Sequence, residues 1–234
     1  LLLEQNRAGD VLIQVEADVD SEYDYELLGY ITPKKMGQAY HCPVFNGLSK
    51  QTTSEQLMDL GTQLNIHGIV PMFHVVGVTP EAADVHTAFL GRKDPPVVTI
   101  TNEDLAQARA EISAGTGKAD FCILGCPHLT INQVGSIAKM LDGQQLAGQL
   151  DIFTPTSTKE LAQRMGYLDI IHKAGGEIVI NSCVDQPCWS HLYGMSGVTE
   201  SPKCAYYTKR WNMTFTVKSI PACIQSVLKG EIVS

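Results

Sequence analysis

The stretch Asp120-Phe-Cys-Ile-Leu-Gly-Cys-Pro-His128 decides the fold. Its apolar run, Phe121 to Leu124, meets a glycine, a cysteine, a proline and a histidine, and a helical pattern begins at Thr130. That reads as a short buried strand turning into a helix. A second strand-then-cysteine run, Glu177-Ile-Val-Ile-Asn-Ser-Cys-Val-Asp-Gln-Pro-Cys188, follows later. Thiols and a histidine just past strand ends, in an alternating β/α pattern, suggest one iron or iron–sulfur site.

Working outward, the alternation continues. Leu57, Leu60 and Leu64 share one helical face behind a Thr53 cap. His67 to Val76 reads as an apolar strand. Thr79-Pro80 predicts a helix start, with the helix running to about Leu90. Val97–Ile100 is the next strand, and Thr101-Asn-Glu-Asp opens another helix. Beyond the opening stretch come a helix over Thr130–Leu141, a strand ending at Phe153, a helix from Thr156 and the strand Glu177–Ile180. Short apolar strands alternating with longer helices predict parallel βαβ units. The expected fold is α/β: three-layer αβα with a mainly parallel sheet covered on both faces. Right-handed crossovers would then place the carboxyl ends of all these strands along one edge, where ligands collect.

Residues 1–50 carry weak periodicity. A strand at Asp10–Glu16 is followed by an acidic and aromatic stretch, the apolar Leu27–Ile31 and a turn-rich connection at Tyr40–Gly47. This region is expected to be the remnant of a preceding α/β region, ahead of one α/β domain over 51–234. The sequence does not begin with Met, so the expectation is part of a longer chain.

Composition removes some classes of function. A chain of 234 residues with 44% hydrophobic and 18% charged residues can bury a large core. No run reaches the roughly eighteen apolar residues of a spanning helix, and Leu-Leu-Leu-Glu-Gln at the start is too short for a signal peptide. The net charge of −8 is spread along the chain, which argues against nucleic acid as a partner. Seven cysteines, an odd number with no secretory signal, read as reduced thiols in a cytoplasmic protein. Cys122 and Cys223 sit in apolar runs and look like core. No GxGxxG follows a strand and no GxxxxGK[ST] occurs, so nucleotide binding has no support.

The residues past the strands are His74 to Thr79, Thr101 and Asn102, Cys126 to His128, Thr154, and Asn181 to Cys188. The positive end of the helix after Cys126 would favour its thiolate, the form iron binds. Each residue also has a packing alternative. Cys126 reads equally as ligand or as a small residue at a helix start. Cys183 and Cys188 could pack, His128 could cap the next helix, and His74 could be a satisfied core histidine. Tyr193 to Tyr207, dense in Gly, Ser and Thr around Lys203, suits either an anion or a plain connection.

With these pieces placed, the chain resembles the large portion of aconitase X, a divergent branch of the aconitase superfamily. The resemblance is carried by Phe73-His-Val-Val-Gly-Val-Thr-Pro-Glu-Ala82, Ile123-Leu-Gly-Cys-Pro-His128, Ile180-Asn-Ser-Cys183 and Thr199-Glu-Ser-Pro-Lys-Cys-Ala-Tyr-Tyr207. It spans most of residues 10–230. It implies an aconitase-like fold and a hydro-lyase acting on a small hydroxy acid. The family's substrates include cis-3-hydroxy-L-proline, the first expectation here, and mevalonate 5-phosphate. It also implies iron, as a cluster or a mononuclear ion, and a small swivelling domain or subunit as partner. By position, Cys126 and Cys183 become metal-ligand candidates, and Ser201 and Lys203 substrate-facing candidates. His74, Thr79 and His128 complete the substrate set, while no catalytic base is assigned. The chain departs from the family pattern at Asn181-Ser182 and at Pro202, which bears on substrate identity. Two other classes compete: a non-catalytic fragment or subunit needing a partner, and a thiol-based redox or zinc protein.

Overall fold

The computed structural model describes residues 7–37, 39–113 and 115–233, without the side chains of Pro187 and Cys188. The packing expectation for Cys188 therefore lies outside the described side chains. The chain divides into two compact units between Ala110 and Glu111. The boundary expected at residue 50 is not where it divides, and the single sheet expected across the strands is two sheets.

The first unit runs β1 (Val11–Val15), α1 (Glu22–Met36), β2 (Pro43–Asn46), α2 (Ser54–Gln63), β3 (His74–Val75), α3 (Val85–Ala88), β4 (Val97–Ile100) and α4 (Asn102–Ser113). Its strands are all parallel, in the order β3-β2-β1-β4. Val11, Ile13 and Val15 are buried on one face of β1; Leu12, on the other, packs with Val44, Ala88 and Phe89. The weak periodicity before residue 50 now has a cause. Helix α1 is buried on nearly every side, from Tyr23 through Pro33, so no polar face marks its period. Its start is nonetheless encoded: Ser21 and Asp24 form a reciprocal capping box.

Three further expectations for this unit are corrected. The turn-rich connection contains the strand β2, which its opening Pro43 and four-residue length conceal. The apolar run 67–76 yields only the two residues of β3, an edge strand paired with β2 alone. The helix expected from Thr79 shrinks to α3, capped instead by Asp84. The Thr79 hydroxyl turns back to the Val75 backbone, and the segment closes through Leu90 and Gly91 at positive φ.

The second unit runs β5 (Phe121–Leu124), α5 (Ile131–Leu141), β6 (Gln149–Thr154), α6 (Thr156–Arg164), α7 (Tyr167–Ala174), β7 (Gly176–Ile180), a 3-10 turn (Pro187–Leu192), β8 (Ser196–Thr199), α8 (Pro202–Thr208), β9 (Thr214–Val217) and α9 (Ile220–Lys229). Its five strands are parallel in the order β7-β6-β5-β8-β9. All four residues of β5 are 0% exposed, so its sheet is covered on both faces. Cys122 and Leu124 pack with α5, α7 and α9, while Phe121 and Ile123 pack with Trp189, Leu192, Cys204 and Met213. Burying each such Leu, Ile or Phe contributes roughly 1.5–3 kcal/mol. The Thr130 capping box with Gln133 starts α5, and Gly230 in the left-handed region ends α9.

The region Tyr193 to Tyr207 is not a plain loop. It holds β8 and α8, with Pro202 in the first turn of the helix, where a missing N–H costs nothing. Gly197 serves packing: a side chain there would run into the Phe121 ring.

In each unit the chain builds outward from its first strand, then returns to add strands on the other side. The reversal leaves a crevice at the carboxyl ends of β1 and β4, and another at those of β5 and β8. Such switch points are where open α/β sheets bind ligands.

Candidate active site at the second switch point

At the end of β5, Gly125 turns the chain with φ +115°, and a side chain there would collide with the Phe153 carbonyl. The turn aims two consecutive backbone N–H groups at one carboxylate. Gly125 N–H and Cys126 N–H donate to Glu200 Oε1 at 2.6 and 3.1 Å. Glu200 stands just past β8 and is 4% exposed. Its other oxygen accepts from Thr199 Oγ1 at 3.2 Å. Burial pushes its carboxyl above the ordinary range, while the N–H donors of Gly125 and Cys126 pull the other way.

Ser201 follows, fully buried, and its Oγ caps α8 by accepting from Cys204 N–H at 3.1 Å. Its side chain also bonds the Cys126 thiol. Burial pushes that thiol up to about 11. The Ser201 bond opposes the rise, Glu200 adds to it, Lys203 opposes it and Cys183 adds again. Cys183, Ser201, Lys203 and Glu200 therefore lie within electrostatic reach of the Cys126 thiol.

Cys183 is exposed, on the loop after β7. Asn181 bends that loop with φ +53°. His128 Nε2–H donates to the Ser182 carbonyl at 2.7 Å, so the loop after β5 holds the loop after β7 across the end of β6. On the far side, Asp185 N–H donates to Cys183 Sγ at 3.4 Å. The Asp185 carboxylate accepts from Arg210, through Nε at 3.2 Å and through Nη2, and from Trp211 Nε1 at 2.9 Å. The guanidinium of Arg210 is thus bound to a carboxylate.

The structure brings together Cys126, His128, Cys183, Ser201 and Lys203. It places His74 and Thr79 in the first unit. His74 is buried there, with Nε2–H on the Arg7 carbonyl at 2.7 Å. Thr79 Oγ1 accepts from Val75 N–H at 3.0 Å. Both side chains hold backbone. Sequence reasoning missed Glu200 and the Asp185–Arg210–Trp211 clamp. An acid between a strand and a proline-started helix was the available signal for Glu200, but β8 itself was hidden among Gly, Ser and Thr.

The donor set fits iron in part. Two thiols are within charge range of each other, and the Asp185 N–H aims at one sulfur. The Cys126 thiol keeps its proton near neutral pH, so a bound cation would have to displace it. Among the described residues no three His, Cys, Asp or Glu side chains gather as a metal site. Cys126 and Cys183 would thus supply two ligands of a larger set.

Sequence models of the aconitase X second domain and third domain match residues 9–110 and 119–229. The chain belongs to the aconitase X family. Those matches divide the chain where the two units divide. The phosphomevalonate dehydratase large subunit of Methanothermobacter thermautotrophicus is 33% identical over 206 residues, 88% of this chain and 49% of that protein. The cis-3-hydroxy-L-proline dehydratase of Pseudomonas aeruginosa is 32% identical over 195 residues, 79% of this chain and 33% of that protein. The crystal structure of Thermococcus kodakaraensis aconitase X in its holo-form matches with a TM-score of 0.82 at 28% identity, covering 96% of this chain and 56% of that one. The chain spans about half the length of the phosphomevalonate dehydratase large subunits it matches. Among the described residues no helix is long and apolar enough to cross a membrane.

Proposed function

We propose that this chain forms the second-and-third-domain part of an iron-dependent hydro-lyase acting on a small hydroxylated acid. The carrying observation is the meeting of Cys126, Cys183, Ser201 and Lys203 at one switch point, in a chain of the aconitase X family. Iron held by Cys126 and Cys183, with donors from outside this pair, would supply Lewis-acid polarisation of the departing hydroxyl. The chain's own residues do the rest. Lys203 supplies positive charge for a substrate carboxylate or phosphate. Ser201 holds the Cys126 thiol and starts the helix that carries Lys203. His128 and Asp185 hold the Cys183 loop from opposite sides. The base that takes the proton is left unassigned, and a small subunit or swivelling domain is the proposed partner, as the relatives named large subunits suggest.

Mevalonate 5-phosphate is the substrate suggested by the relatives named phosphomevalonate dehydratase, among them one 33% identical over 88% of this chain. The second reading is cis-3-hydroxy-L-proline, favoured by a specific observation: Arg210 is bound to Asp185, which leaves a phosphate fewer cations in this region. The chain, reconstituted anaerobically with iron and sulfide, should bind iron with a sulfur-to-iron absorption band. Cys126→Ser and Cys183→Ser should each abolish it. Variants that bind iron normally would overturn the ligand reading. Dehydration assays of both acids, with a small subunit added, separate the substrates.

A further inference from the structure

We propose that Glu200 is a positioning residue that sets the Cys126 thiol through the backbone of its turn. This rests on the reading of Cys126 as a ligand. Consecutive residues grip Cys126 at both ends, Glu200 at its N–H and Ser201 at its thiol. The grip spans the switch point, since Gly125 and Cys126 leave β5 while Glu200 and Ser201 leave β8.

The first unit shows that the fold itself does not need a carboxylate here. There the two residues after β1, Glu16 and Ala17, donate their N–H groups to the Ile100 carbonyl of β4, at 2.9 and 3.2 Å. A main-chain carbonyl satisfies the same pair of donors without burying a charge-bearing group. The second unit uses a side chain at a position where burial penalises it. A side chain two bonds longer than the local backbone also lets the β5 turn stand away from the end of β8, where the thiol meets Ser201. What Glu200 adds over a carbonyl is therefore placement of Cys126.

The test is alkylation of the chain by iodoacetamide, followed at Cys126 and Cys183 by peptide mass spectrometry. Glu200→Asp withdraws the carboxylate from the turn and should speed Cys126 about tenfold, the low end of what losing buried hydrogen bonds releases. Cys183 should stay within about twofold, as its own clamp is untouched. Glu200→Gln keeps an acceptor oxygen for both N–H groups and should return Cys126 close to the parent rate. Unchanged Cys126 rates in both variants would overturn the proposal. So would Cys126 and Cys183 rising together, or an Asp variant that does not fold beside a Gln variant that rescues nothing. Iron uptake is scored separately. A parent chain that takes up no iron, yet keeps the selective Cys126 response, would sink the iron reading and leave the positioning role standing.

Discussion

The two switch points share a strand arrangement and differ in what closes them. In the first unit, the N–H groups after β1 meet a backbone carbonyl, and the neighbouring side chains satisfy one another. Asn102 bonds the Asp18 backbone and carboxylate, and Lys35 pairs with Asp104. In the second, the equivalent N–H groups meet a buried carboxylate, and the surrounding loops present two thiols, a hydroxyl and an amine. The same scaffold thus carries a candidate site at one switch point and, among the described residues, side chains that pair with one another at the other, so fold locates the crevice while side chains decide the chemistry.

The largest effect should come from a device the two units share. Gly125 and Gly47 each follow a strand at positive φ, and each would drive a side chain into a neighbouring strand's carbonyl, that of Phe153 or of Val15. Alanine at either should cost about 2–4 kcal/mol. Urea unfolding would show it, and a loss confined to Gly125→Ala would break the parallel.

A smaller effect tests what differs. Asp185→Ala frees Arg210 and Trp211 and removes the anchor of the Cys183 loop. Arg210 is mostly solvent-exposed, so the stability loss should stay near about 1 kcal/mol. Hydrogen exchange should rise over 181–185 while Gly125 and Cys126 stay protected. Equal loosening of both loops would mean that they are one element rather than two separately held ones.

A separate effect, confined to alkaline pH, lies in two thiols. Burial raises Cys126 from 9.0 to about 11, and Cys42, in the first unit, from 9.0 to about 12. Each folded-state thiol holds its proton more tightly than the unfolded one. Its contribution to stability is therefore present below pH 9 and lost as pH rises through the folded value. Cys126→Ser should flatten the fall in stability between pH 9 and about 11, and Cys42→Ala that between pH 9 and about 12. Midpoint denaturant concentrations measured across that range check both. Alkylation of Cys126 in the folded chain should likewise have its midpoint near pH 11.

How much of this was legible beforehand depends on whether the deciding interaction is local. Strand β5, the helix beginning at Thr130 and the Thr53 cap were read correctly, because an apolar run or a capping pair lies within a few residues. Helix α1 hid its period by being buried on nearly every side, and β8 hid behind small hydroxylated residues. The expected helix at Thr79 failed because a hydroxyl that can cap a helix can equally bond the turn before it.

The opening stretch, by itself, determined a buried parallel strand ending in a glycine turn with a thiol, because side-chain burial and backbone sterics act over neighbouring residues. Only the tertiary structure decided that the strands form two sheets and that His74 and Thr79 belong to the first. It alone brought Glu200, from the far side of the second switch point, onto the backbone of Cys126. Sheet order joins residues 75 positions apart here, and a buried carboxylate finds its donors only after that order is set.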